Sequence, residues 1–226
     1  MPLVITAAHL AAIAGRSTKH MPALADWMNR LCPQYEIDTA QEYSHFLAQA
    51  CHETDHFLTL REYASGRAYE GRADLGNTRP GDGVRFKGRG IFQTTGRANY
   101  LQLGIKKGKR DLFVNKPELL EQAEYAVWSA CEYWKTRGLN DIANHPDDVK
   151  LVKKLRGKLY NLSPVEYVSA TVNGGFNGLD ERKKFYARAI KVLADVPAPR
   201  AMFAPAPKAA GKEKTAAPPK KAKAGR

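Results

Sequence analysis

Cysteine is scarce: the 226 residues hold three, Cys32, Cys51 and Cys131, an odd and widely spaced set. Such a set offers no disulfide framework and no paired ligand spacing for a structural metal, so reduced thiols are expected. Long apolar runs are absent too, and nothing approaches the roughly eighteen apolar residues of a membrane span. The opening MPLVITAAHLAAIAG is apolar but has no positively charged flank and is broken by His9. It therefore reads as a first helix, not as an export signal. No segment shows sustained apolar–polar alternation, so strands are not expected and the chain reads as mainly α.

Acidic residues are in deficit. Lys and Arg number 36 against 23 Asp and Glu, a net charge of +13. The excess is uneven: residues 197–226 carry eight Lys or Arg against Glu213 alone, a net of +7, which leaves +6 on the rest. A basic surface favours polyanions such as nucleic acid, anionic lipid or the acidic polymers of bacterial envelopes, and charge alone does not choose among them. After Val196 large apolar groups are few, so burial cannot offset the entropy of ordering the chain. Residues 1–195 are thus expected to form one domain and 196–226 a disordered Pro/Ala/Lys-rich basic tail.

Along the chain, residues 4–14 and 21–30 suggest two short helices that cap the fold. Thr39 and Glu42 have capping-box spacing and start a helix over 39–58. A brief helix follows at 97–103. Pro117 opens a long one to Arg137, whose apolar stripe includes Val127, Trp128, Cys131 and Trp134 and reads as core. Pro146-Asp147-Asp148 opens a basic helix to Leu155. Ser163-Pro164-Val165-Glu166 combines an N-cap, proline at N1 and a capping-box glutamate. A last helix spans 180–194.

Between the helix over 39–58 and that at 97–103 lies a stretch too rich in Gly, Arg, Asp and Asn to form a packed element. It carries Tyr63, Tyr69, Phe86, Ile91 and Phe92, so an ordered loop lining a cleft is expected. On the preceding helix Phe46, Ala50, Glu53 and Phe57 share one face, while His45, Gln49, His52 and His56 share another. A carboxyl group held against apolar surface has its charged form disfavoured, so Glu53 is a candidate general acid. Glu62, in the polar run Arg61-Glu62-Tyr63, is expected to stay ionised. Two carboxylates in contrasting settings suggest glycosidic bond hydrolysis.

His52-Glu53-Thr54-Asp55-His56 also matches H-E-x-x-H, two histidines one helical turn apart with a glutamate as base. No further histidine occurs until His145, and Glu62 and Glu70 lie in the loop instead of on a following helix. Arg85-Phe86-Lys87-Gly88-Arg89-Gly90 mixes basic residues with an aromatic, so a nucleic-acid module is the non-enzymatic alternative. No nucleic-acid fold signature accompanies it, and a role in shaping the cleft floor is preferred.

The ordered run HET..F, EYASG, YEGR, DLGNT, PGDG, RFKGRG, Q.TGR and NY, with NGGFNG and RKKFY beyond it, resembles glycoside hydrolase family 19 over most of residues 40–190. It is most similar to the family's compact phage and prophage endolysins. The resemblance implies a lysozyme-like single domain, Glu53 as general acid, Glu62 as general base, and inversion. It also implies that Thr95 helps to hold the attacking water, that Tyr63, Gln93, Asn99, Asn173 and Arg182 belong to the substrate site, and that Arg182 sits near the acid. Two positions depart from the chitinase pattern: Ala98 replaces a tyrosine, and Asn177 replaces the acidic partner of the arginine. The implied substrate is bacterial peptidoglycan, cut at β-1,4 bonds, with chitin as the alternative. The expected protein is a monomer with no metal, no cofactor and no specific nucleic acid, and its tail meets anionic envelope or membrane surfaces. It would remain in the host bacterial cytoplasm until a separate permeabilising protein releases it to the cell wall.

Overall fold

The computed structural model describes residues 3–194 and 196; the expected basic tail lies outside the described residues, apart from Val196. Ten α-helices are present among them. They are α1 (Ala7–Ala14), α2 (Met21–Leu31), α3 (Ala40–Glu53), α4 (Asp82–Arg85) and α5 (Arg97–Lys106), then α6 (Leu112–Asn115), α7 (Ala123–Thr136), α8 (Leu139–Ala143), α9 (Pro164–Asn173) and α10 (Leu179–Ala194). The fold is mainly α, as the composition suggests. No helix among the described residues is long and apolar enough to cross a membrane.

Two apolar clusters organise the chain. The larger gathers Leu10, Met28, Phe46, Trp134, Val168 and Phe185 from six helices, so α1 and α2 are part of the core and not a cap laid over it. The smaller consists of Phe86, Tyr100, Phe113, Leu120 and Trp128. The most extensive helix pair is α3 with α10. Their contact fixes the α3 C-terminus, where Glu53 sits.

Three expectations need correction. The helix expected over 39–58 stops at Glu53, because Asp55, His56 and Phe57 take φ of 48°, 60° and 62°. The helix expected from Pro117 is a 3₁₀ segment to Glu121, broken at Gln122 (φ −80°, ψ 140°), and α7 starts at Ala123. The basic helix expected to end at Leu155 is instead an antiparallel hairpin, β1 (Leu151–Leu155) and β2 (Lys158–Leu162), so the expected lack of strands does not hold. Its turn is Arg156-Gly157, with φ of 47° and 84°. Two left-handed residues give the turn whose twist matches paired strands, and glycine supplies the second without strain.

Candidate active site

The helix bearing Glu53 is well specified at its start. Thr39 Oγ1 accepts from Glu42 N–H (3.2 Å), and Glu42 Oε2 accepts from Thr39 N–H (3.0 Å), a reciprocal capping box. Its end is specified by tertiary contacts. Thr54 Oγ1 donates to Ala50 O (2.6 Å) and accepts from Phe57 N–H (2.9 Å), folding the chain back on the last turn. The three left-handed residues that follow each carry a backbone cost of order 1 kcal/mol. Several contacts hold them there. Phe57 is fully buried, Thr18 Oγ1 donates to Phe57 O (2.7 Å), His56 Nδ1 donates to Ala14 O (2.8 Å), and Tyr63 OH donates to Asp55 Oδ2 (2.7 Å). The strained turn leaves Glu53 as the final helical residue.

This turn also separates the two histidines of the H-E-x-x-H pattern. His52 is helical and His56 is not, and their rings are engaged by Glu181 Oε2 (2.6 Å from His52 Nδ1) and by Ala14 O. Among the described residues no three His, Cys, Asp or Glu side chains are grouped as metal ligands. The backbone therefore does not build the zinc-peptidase arrangement.

Glu53 does not lie against apolar surface alone, as expected, but is paired with an arginine. Its Oε1 accepts from Arg182 Nη2, and the Arg182 side chain is 1% exposed against 19% for Glu53. Arg182 Nη1 donates to Gln49 Oε1 (2.6 Å), Gln49 Nε2 donates to Ser169 Oγ (3.1 Å), and Ser169 Oγ donates to Val165 O (2.7 Å). The chain of bonds fixes the Glu53 carboxyl from behind and runs through to α9. Arg182 thus stands behind Glu53, not on the cleft wall.

Glu62 is held differently. Its N–H donates to Gly88 O (3.0 Å), and its Oε2 accepts from Tyr69 OH (2.9 Å). Neighbouring Arg61 turns to Glu121 (3.8 Å). Glu62 Oε1 is buried without a hydrogen-bond partner, and so is Gln93 Oε1. Both side chains press on Gly88: a Cβ added there would meet Gln93 Oε1 at 2.7 Å and Glu62 Oε2 at 3.2 Å. Buried acceptors are costly to leave unpaired, so this corner suits an O–H donor such as water or a sugar hydroxyl. Thr95 Oγ1 donates to Gln93 O (2.9 Å), and Asn99 Nδ2 donates to Thr95 O (2.7 Å), which ties the three into one ladder.

Glu53, Glu62, Tyr63, Gln93 and Thr95 line one open cleft of about 320 Å³. A second lobe of about 300 Å³ shares Gln93 and Thr95, includes Asn99, and extends to Lys106 and Arg137. Asn173 lines neither lobe; its Oδ1 accepts from Asn177 N–H (3.2 Å) and closes the turn after α9. Tyr69 was expected in the cleft loop, Gly88 in the cleft floor and Gln49 on a polar helix face, but none was anticipated as a partner of the site's side chains. The RFKGRG run is largely internal: Phe86 is fully buried, and Arg89 Nε donates to Glu121 (2.7 Å).

No family model matches the chain. It is 32% identical over 131 residues to a glycosyl hydrolase family 19 domain-containing protein of Haemophilus influenzae, an alignment covering 58% of this chain and 54% of that protein. The chain thus spans about half the length of this curated relative. Among solved structures, chitinase C from Streptomyces griseus matches with a TM-score of 0.57 at 16% identity, covering 85% of this chain and 94% of that one. A family 19 class IV chitinase from Zea mays matches at 0.59 and 17%, covering 86% and 95%. The chain resembles family 19 in sequence and shares the fold of its chitinases.

Proposed function

With the likeness to family 19 as premise, we propose that this chain is a glycoside hydrolase of the endolysin type that cleaves the β-1,4 glycan backbone of bacterial peptidoglycan. The observation that carries the reading is that Glu53 and Glu62 line one cleft with different partners. Glu53 gives its proton to the glycosidic oxygen as the C1–O bond breaks. Glu62, with a free oxygen beside Gln93, takes a proton from a water that attacks C1 from the opposite face. Thr95 and Gln93 orient that water; Tyr63 and Asn99 contact the sugars.

Peptidoglycan is preferred over chitin on charge. Arg61 stands at the first lobe and Lys106 and Arg137 at the second, which suits a glycan with acidic peptide stems. Lys106 is already paired with Glu132 (2.9 Å), whereas Arg137 lies 3.5 Å from the Tyr133 ring centroid with no ion pair among the described residues. Chitin is the second reading, favoured by the names of the solved neighbours. Residues 197–226 are proposed to tether the enzyme to anionic envelope surfaces, and the proposed site of action is the cell wall after release from the host cytoplasm.

The test is mass spectrometry of products from purified sacculi and from chitin oligosaccharides, with wild type and Glu53→Gln. Sacculi should yield glycan-cleaved muropeptides, and the variant should lose roughly 10²–10⁴-fold in turnover. Cleavage of chitin alone, or a folded variant with full activity, overturns the reading.

A further inference from the structure

Away from the glycan cleft, four arginines converge on a separate depression. Its two lobes, of about 570 Å³ and 310 Å³, share Arg79 and Arg97, while Arg85 lines the first and Arg110 the second. Arg85 and Arg97 are anchored through their guanidinium groups, Arg79 and Arg110 through their backbone. Arg79 N–H donates to Asp82 Oδ2 (3.1 Å). Arg85 Nη2 donates to the terminal carbonyls of α6, Val114 O (2.9 Å) and Asn115 O (3.0 Å). Arg97 pairs with buried Asp82 and lies 4.5 Å from the Phe86 ring centroid. The Arg110 peptide is packed against α5 at Gly104, where an added Cβ would meet Arg110 O at 2.1 Å.

Among the described residues Arg97 alone of the four has a carboxylate partner, and Asp111, the other acid in the lining, forms no ion pair. Four guanidinium charges against two carboxylates leave the lining net positive, and an anion placed among them relieves the residual repulsion. Guanidinium forks match phosphate oxygens in pairs. The lining includes no aromatic side chain, because Phe86 is buried beneath it, so a nucleobase has nothing to stack on. The site is concave, unlike elements that lay an apolar face on a bilayer. We infer that this depression binds phosphate groups carried on a base-free chain, independently of glycan hydrolysis.

The full chain is titrated at low salt with a short poly(glycerol phosphate), comparing wild type, R79Q/R110Q and R79K/R110K. The glutamine pair should bind about tenfold more weakly or worse, and the lysine pair should retain most of the affinity. Both variants should keep the wild-type melting temperature. No binding by wild type, or equal binding by wild type and R79Q/R110Q, overturns the proposal and in the latter case assigns the contact to other basic residues. Tighter binding of an oligothymidylate than of the polyol phosphate, or a loss confined to phosphatidylglycerol vesicles, also overturns it.

Discussion

Replacing His45 with leucine should flatten the acid side of the stability profile. His45 lies on α3, fully buried, with neither ring nitrogen hydrogen-bonded. Its ring centroid is 4.4 Å from that of Tyr186, whose hydroxyl donates to Asp147 Oδ1 (2.7 Å). Burial lowers its pKa from 6.5 to about 4, with the Asp147 charge pulling weakly the other way. Between those values the unfolded chain binds a proton that the folded one refuses. Stability is therefore full above about pH 6.5, falls as pH drops, and the loss levels off below about pH 4. The difference between the two states corresponds to about 3 kcal/mol in all, and about 2 kcal/mol of it is lost between pH 7 and pH 5. Urea unfolding followed by tryptophan fluorescence at both pH values measures it. Wild type should lose about 2 kcal/mol more than His45→Leu over that interval. Parallel losses in the two proteins would refute the argument, since the titration would then belong to other groups.

Gly88→Ala should lower turnover roughly 10–100-fold by pushing Gln93 and Glu62 apart, with a small change in melting temperature; unchanged kinetics would show that the close approach is not needed. Arg182→Gln should destabilise the fold by about 3–5 kcal/mol in urea titrations, because it removes one partner of a largely buried pair, and a loss below about 1 kcal/mol would contradict that burial. Inversion predicts the α-anomer as first product from a soluble β-linked oligosaccharide, read by NMR in early turnover; the β-anomer first would exclude it.

Two helix starts were legible because their determinants are local: Thr39 with Glu42, and Ser163 with Pro164 and Glu166, both form the expected boxes. The end of α3 was not, since it depends on partners as distant as Ala14 and Thr18. The hairpin carried a readable signal, apolar residues at 151, 155 and 159 around Arg-Gly. Proline and aspartates just upstream, with lysines throughout, imitated a helix start instead. Within the site, residue pattern pointed to Glu53 and Glu62 and the family resemblance to Tyr63, Gln93 and Thr95, and the fold brings all five to one cleft. Residue pattern put Tyr69 in the cleft loop and Gly88 in the cleft floor but did not reveal their close approach to Glu62. The resemblance put Arg182 near the acid, and α10 packing along α3 brings it there.

Helix α7 enters both apolar clusters, Trp128 in the smaller and Trp134 in the larger, within one unbroken run of fourteen residues. The two clusters therefore share a single shaft. Melting either one strips α7 of part of its packing, so the two unfold in one cooperative step and their slowest-exchanging amides open together. Glycan held in the cleft would then slow hydrogen exchange in both clusters together.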